Sequence, residues 1–128
     1  MQKKVLVIDD DIYCLDSMIE YLSDKNFTIT SSLKPACPML NGNTICPMQT
    51  PCYDIVLSDN QMPGMTGLDF FQFQTQNGCK VPPHHKALIS GNLSREDQKT
   101  AEEMGYKVFQ KPTPLSQIDH WIDEVLAV

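Results

Sequence analysis

Five short apolar runs recur along this chain, separated by segments of helical period, and that rhythm excludes most folds before any single residue is weighed. The runs are Lys4–Ile8, Phe27–Ser31, Tyr53–Ser58, Ala87–Ser90 and Lys107–Gln110. Strand-length and helix-length patterns in alternation are the mark of βα repeats around a parallel sheet. The first intervening segment, about Asp11 to Lys25, places Ile12, Leu15, Met18, Ile19 and Leu22 at spacings of three and four, a stripe for packing on a sheet. Another helix is predicted to begin at Thr66 or Gly67, carrying Leu68, Phe70, Phe71 and Phe73 before Asn77-Gly78. A further one opens at Ser94, with Asp97 approximating a capping box, and stops at Gly105. The last, about Leu115 to Leu126, carries Leu115, Ile118, Ile122, Val125 and Leu126. Trp121 falls outside that stripe, where exposure would mark a partner surface and burial would extend the core.

The rhythm falters once, between Leu33 and Cys52. Pro35, Pro38, Pro47 and Pro51, with Asn41-Gly42-Asn43, leave room for only one or two helical turns, so the second helix is predicted to be short or irregular. The same stretch holds Cys37, Cys46 and Cys52. Their spacing matches no zinc pattern and no fourth ligand is evident, so they read as free thiols.

At 128 residues the chain is one domain, 1–128, with enough core to fold without disulfides. No run approaches the roughly 18–20 apolar residues that span a bilayer, and the four apolar residues after Met1-Gln2-Lys3-Lys4 are too few for a signal-peptide core. A soluble, cytoplasmic protein is the expectation. A net charge of −6, with no basic cluster beyond Lys3-Lys4, argues against binding nucleic acid.

Chemistry concentrates where strands end. Asp59 follows the third run and precedes Asn60-Gln61-Met62-Pro63-Gly64, a turn that lifts its carboxylate to the carboxyl edge of the sheet. Asp9-Asp10-Asp11 ends the first run and would reach the same edge. Crowded carboxylates share protons or hold a hard cation, and Mg2+ fits best because it keeps waters that a phosphoryl group can replace. Helix capping by Asp10 or Asp11 is the plainer use of part of that acidic run. Ser90 ends the fourth run and Lys111 the fifth, adding a hydroxyl and a cation to the crevice. A carboxylate nucleophile, a magnesium site, a hydroxyl and a lysine together suit phosphoryl transfer.

Four motifs in order, Val7-Ile8-Asp9-Asp10-Asp11, Asp59-x-x-Met62-Pro63-x-x-x-Gly67, Leu88-Ile89-Ser90-Gly91 and Lys111-Pro112, span nearly the whole chain. In them it resembles the receiver domains of two-component response regulators. The resemblance implies a flavodoxin-like (βα)5 fold, a doubly wound five-stranded parallel sheet in the order 2-1-3-4-5. It makes Asp59 the acceptor of a phosphoryl group from a phosphohistidine on a sensor histidine kinase or histidine phosphotransfer protein. Asp9, Asp10, Asp59 and the backbone carbonyl of Gln61 would bind Mg2+. Lys111 would pair with Asp59 and then with the phosphoryl oxygens, and Ser90 would be the switch hydroxyl. Lys111-Pro112 is a bond often cis in such domains.

The same resemblance implies a self-modifying switch rather than a turnover enzyme, catalysing its own phosphorylation and dephosphorylation. Its output would be a protein contact, or a homodimer, through the fourth and fifth helices and fifth strand. It would serve either as a single-domain regulator or as the receiver of a longer protein with an output domain. Two departures stand out. Val108 occupies the position, three before the lysine, where strongly switching members have Tyr or Phe; Tyr106 and Phe109 could substitute only through a strand shift. The span from Asp10 to Asp59 is also a few residues long. A haloacid dehalogenase-type phosphatase would want a second Asp where Gln61 stands. The main rival is a receiver-like interaction module that is never phosphorylated, although such modules typically lose one of the acids, the hydroxyl or the lysine. His84-His85, on a backbone read as extended, would point apart into solvent.

Overall fold

The computed structural model describes residues 3–37, 40 and 45–127. Five strands, β1 (Lys4–Ile8), β2 (Thr28–Ser32), β3 (Ile55–Asp59), β4 (Lys86–Ser90) and β5 (Lys107–Gln110), form one parallel sheet in the order β2-β1-β3-β4-β5. Among the described residues four α-helices connect or follow them: α1 (Ile12–Ser23), α2 (Gly67–Gln76), α3 (Arg95–Glu103) and α4 (Leu115–Leu126). Every strand expected from the sequence is present, with ends displaced by two residues at most. None of these helices is long and apolar enough to cross a membrane.

Side chains alternate across a strand, and the parity of each strand residue decides which of two cores it joins. Val5, Val7, Ile55, Leu57, Ala87, Ile89 and Phe109 face α1 and α4, packing on Leu15, Leu22, Ile118 and Ile122. Leu6, Ile8, Val56 and Leu88 face the other way, toward Phe70 and Phe71 of α2 and Ala101 of α3. β3 and β4 are buried along their whole length, as a sheet covered on both faces requires. Each fully buried large apolar side chain contributes about 1.5–3 kcal/mol relative to exposure.

The helices start where their caps say they should. The Thr66 side chain accepts from Asp69 N–H at 3.0 Å while Asp69 reaches back to Thr66 N–H, a complete capping box. Ser94 Oγ accepts from Asp97 N–H at 3.0 Å. Asp11, not Asp10, caps α1, accepting from Tyr13 N–H at 2.9 Å.

Two sequence expectations, for Ile12 and for the histidine pair, need correction, and the alternative left open at Trp121 is decided. Ile12, assigned to the buried stripe of α1, is 47% exposed; it sits in the first turn, before the helix has settled onto the sheet. Trp121 is a core residue at 8% exposure, packed edge-on against Phe109 with ring centroids 5.8 Å apart. It widens the apolar arc of α4 by one position and is not a free surface. The two histidines do not point apart, because Pro83–His85 form a 3₁₀ turn that brings their rings to 4.4 Å. His85 Nδ1 lies 2.9 Å from the Asp54 carbonyl oxygen.

Between β2 and β3 no α-helix is present among the described residues; Leu40 is in a 3₁₀ turn, its N–H donating to Cys37 O at 3.0 Å. Pro38 and Asn41-Gly42-Asn43, on which the expectation of a short or irregular second helix partly rested, lie outside them. The helices predicted to open at Ser94 and near Leu115, fourth and fifth in the sequence count, are α3 and α4.

Candidate functional site

Asp59 is the last residue of β3 and shares the parity of Ile55 and Leu57, so its side chain leaves the sheet on the α1/α4 face. Asp9, one residue past β1, and Lys111, one past β5, continue the parity of Val7 and Phe109 toward the same face. The three meet there. Lys111 Nζ stands 3.2 Å from Asp59 Oδ1 and 3.9 Å from Asp9 Oδ2. Carboxylate oxygens of Asp9, Asp10 and Asp59 lie within 4.8 Å of one another, the one such cluster of potential metal ligands among the described residues. Asp9, Asp59 and Lys111 line the mouth of a cleft of about 430 Å³ whose walls include Tyr13, Met18, Leu57 and Pro112.

Each member is held from behind. Asp9 Oδ1 accepts from Asp11 N–H at 2.9 Å, leaving Oδ2 directed toward Lys111. The Lys111 backbone N–H donates to Ser90 O at 2.9 Å, and the bond to Pro112 is cis. After Asp59 the chain turns on buried Asn60, whose Oδ1 accepts from Leu68 N–H at 2.9 Å and whose carbonyl accepts from Gly67 N–H at 3.1 Å. The first turn of α2 thereby lies against the end of β3. A Cβ on Gly67 would sit 2.5 Å from the Asp59 carbonyl oxygen and 2.8 Å from Leu88, so the approach requires glycine.

Electrostatics at the site are under tension. Asp59 is 4% exposed, and burial raises its carboxyl pKa; Lys111 offsets part of the rise, and the charge on Asp9 adds to it. The Asp9 carboxyl is raised as well, again first by burial, against the Asp11 N–H and Lys111. Burial works to lower the Lys111 pKa, but Asp59 and Asp9 outweigh it and the ammonium is held. Despite the ion pair, buried Asp59 Oδ1 accepts no hydrogen bond of acceptable geometry. A buried acceptor left open, beside two further carboxylates, is the donor set a small hard divalent cation such as Mg2+ requires.

Ser90 is buried at the end of β4, with its Oγ accepting from Asn92 N–H at 3.3 Å. Its parity is that of Lys86 and Leu88, toward α2 and α3, and it does not line the cleft. Gln61 is exposed in the turn after Asn60, its backbone N–H beside the Asp59 carboxylate. Val108 is half-buried on the α2/α3 face. Tyr106, on that same face, is fixed by its hydroxyl, which donates to Phe71 O at 3.0 Å and lies 2.7 Å from Thr75 Oγ1. Phe109 faces the opposite core against Trp121. No aromatic ring takes the Val108 position.

Sequence reasoning missed Asn60, whose role as a brace appears only once α2 folds back on β3. It also missed Lys86, which is completely buried in β4 with Nζ 2.8 Å from Gln74 Oε1 and 3.5 Å from Cys79 Sγ.

No family model and no curated protein matches the sequence. Solved structures do match. The receiver domain of the Francisella response regulator 1452 is similar over 97% of this chain and 96% of its own, with a TM-score of 0.77 at 19% identity. The Vibrio cholerae chemotaxis protein CheY4 is similar over 98% of this chain and 100% of its own, with a TM-score of 0.75 at 21% identity. For the non-phosphorylated HemR receiver domain of Leptospira biflexa the shares are 99% and 96%, the TM-score 0.78 and the identity 16%. The chain has the receiver-domain fold over nearly all its length.

Proposed function

We propose that this chain, built on the receiver fold, is a phosphoaccepting switch of a two-component or phosphorelay system, with Asp59 as its nucleophile. One observation supports this above the rest. Topology gathers Asp59, Asp9 and Lys111 from three strand ends into one cleft, with the Asp10 carboxylate within 4.8 Å of the other two acids and Lys111 Nζ 3.2 Å from Asp59 Oδ1.

In the reaction, an Asp59 carboxylate oxygen bonds to the phosphorus of a phosphohistidine as the phosphorus–nitrogen bond breaks, and the electron pair leaves with the imidazole. Lys111 has its ammonium placed to share the negative charge of the incoming phosphoryl oxygens. Asp9, Asp10, Asp59 and the Gln61 carbonyl would hold Mg2+, which when bound neutralises further charge on those oxygens. Ser90 exchanges its contact with Asn92 N–H for one with the phosphoryl group.

The output is a change in the α3–β5–α4 face, read by a downstream protein, an attached output domain or a second copy. The donor is a sensor histidine kinase or a histidine phosphotransfer protein in the cytoplasm. The protein turns over no separate substrate; it makes and loses its own aspartyl phosphate. With Val108 at β5 and Tyr106 tied to Phe71 and Thr75, coupling to that face runs without an aromatic rotation. That feature gives some support to the rival reading, an interaction module that is never phosphorylated.

Acetyl phosphate with Mg2+ separates the two. The expected result is a mass gain of one phosphate in the wild type and none in Asp59→Asn. Modification that persists in Asp59→Asn refutes the nucleophile, and an unmodified wild type establishes the inert module.

A further inference from the structure

We propose that Cys37, Cys46, Cys52 and Cys79 form a tetrathiolate site for a thiophilic divalent metal of the zinc class, clasping the β2–β3 crossover to the end of α2. In the sequence the first three thiols lacked a fourth ligand. The fold supplies it: Cys79, just beyond α2, lines the same small cavity as the other three, whereas Cys14 lies far off beside the acidic cleft. That cavity measures about 20 Å³, room for a single ion or water and for no organic ligand.

Charge points the same way. Lys86 is a completely buried cation with no carboxylate partner among the described residues; its contacts there are the Gln74 amide, the Phe71 ring and Cys79 Sγ. An uncompensated buried ammonium is costly. Four thiolates around a divalent ion carry two net negative charges, which supply the missing counter-charge. Backbone anchoring is already in place, since Cys46 N–H donates to Asn77 O at 2.8 Å and Cys79 N–H to Gln74 O at 2.9 Å. No three of the sulfur atoms lie within 4.8 Å of one another. Closure therefore draws the loop thiols inward, each losing a proton to solvent as its sulfur coordinates.

The test uses the reduced full chain with Co2+ and then Zn2+. One Co2+ per chain is expected, with sulfur-to-metal charge-transfer absorption and the strong visible bands of a tetrahedral site, displaced by one equivalent of Zn2+. Zn2+ should shield four thiols from alkylation and leave Cys14 reactive, a readout that needs no variant. Asp59→Asn and Cys14→Ser should retain the spectrum, Cys79→Ser should lose it, and Lys86→Met should weaken binding by about tenfold. Absence of charge-transfer absorption in the wild type overturns the proposal. So does a cobalt signal that survives Cys79→Ser but vanishes in Asp59→Asn, or a disulfide among these cysteines in protein that binds no Co2+ once reduced.

Discussion

Lys111 Nζ lies 3.2 Å from Asp59 Oδ1 yet gives that buried oxygen no hydrogen bond of acceptable geometry. The ion pair sets a cation beside the carboxylate that would accept the phosphoryl group. Replacing it by Lys111→Gln keeps a polar group of similar reach and removes the cation. The initial rate of Asp59 phosphorylation by acetyl phosphate should fall by roughly tenfold to a hundredfold, while the far-ultraviolet circular dichroism stays that of the wild type.

Carboxyl pKa values raised in the folded state impose a definite pH dependence. Asp59 and Asp9 both titrate above their ordinary value of 3.8. Between 3.8 and the folded pKa the native state binds more protons than the unfolded chain, so without metal these groups subtract stability as pH rises through that window. Asp59→Asn should raise the melting temperature at neutral pH, with the gain shrinking as pH falls toward 3.8. Calorimetry across that range checks the sign.

Magnesium should reverse that deficit. A ligand at a hundred times its dissociation constant stabilises the native state by about 2.7 kcal/mol, which raises the melting temperature of a domain this size by roughly 10 °C. The wild type should respond to Mg2+ and the Asp9→Asn/Asp59→Asn double variant should not, as read by thermal denaturation.

Gly67 is fixed by space rather than by backbone angle. The Cβ of Gly67→Ala would press on the Asp59 carbonyl oxygen at 2.5 Å. Destabilisation of about 1–3 kcal/mol is expected, together with slower phosphorylation, because the displaced atom belongs to the nucleophile's own backbone. Urea denaturation and phosphorylation kinetics measure the two effects separately.

Trp121→Ala should cost about 3–5 kcal/mol, the range for emptying a buried aromatic site. A tryptophan serving an exposed partner surface would cost less than about 0.5 kcal/mol. Chemical denaturation distinguishes them.

Much of this architecture was legible in the residues. The Tyr53–Ser58 run and the acid that ends it announced a buried strand opening at a site, and Asp9, Asp10, Asp59 and Lys111 converge as their strand-end positions implied. Local chemistry, such as the caps at Thr66 and Ser94, was equally readable. What escaped depends on contacts between distant segments. The α4 stripe left Trp121 open between core and surface, and only its packing on Phe109, from another element, decides for the core. Lys86 starts a strand, where a lysine is ordinarily solvated; only the meeting of α2 with β4 shows Gln74 and Cys79 waiting for it. Ser90 ends β4 with its Oγ accepting from Asn92 N–H, a local contact that the motif Leu88-Ile89-Ser90-Gly91 does not announce.

Alternating parity along the strands also determines where this polypeptide can tolerate a change of length. One residue inserted or deleted within Lys4–Ile8 or Ile55–Asp59 would swap the two cores and carry an acid to the wrong side of the sheet. The crossover after β2 bears no such constraint, so it can grow, acquire prolines and gather thiols while the reactive trio keeps its place.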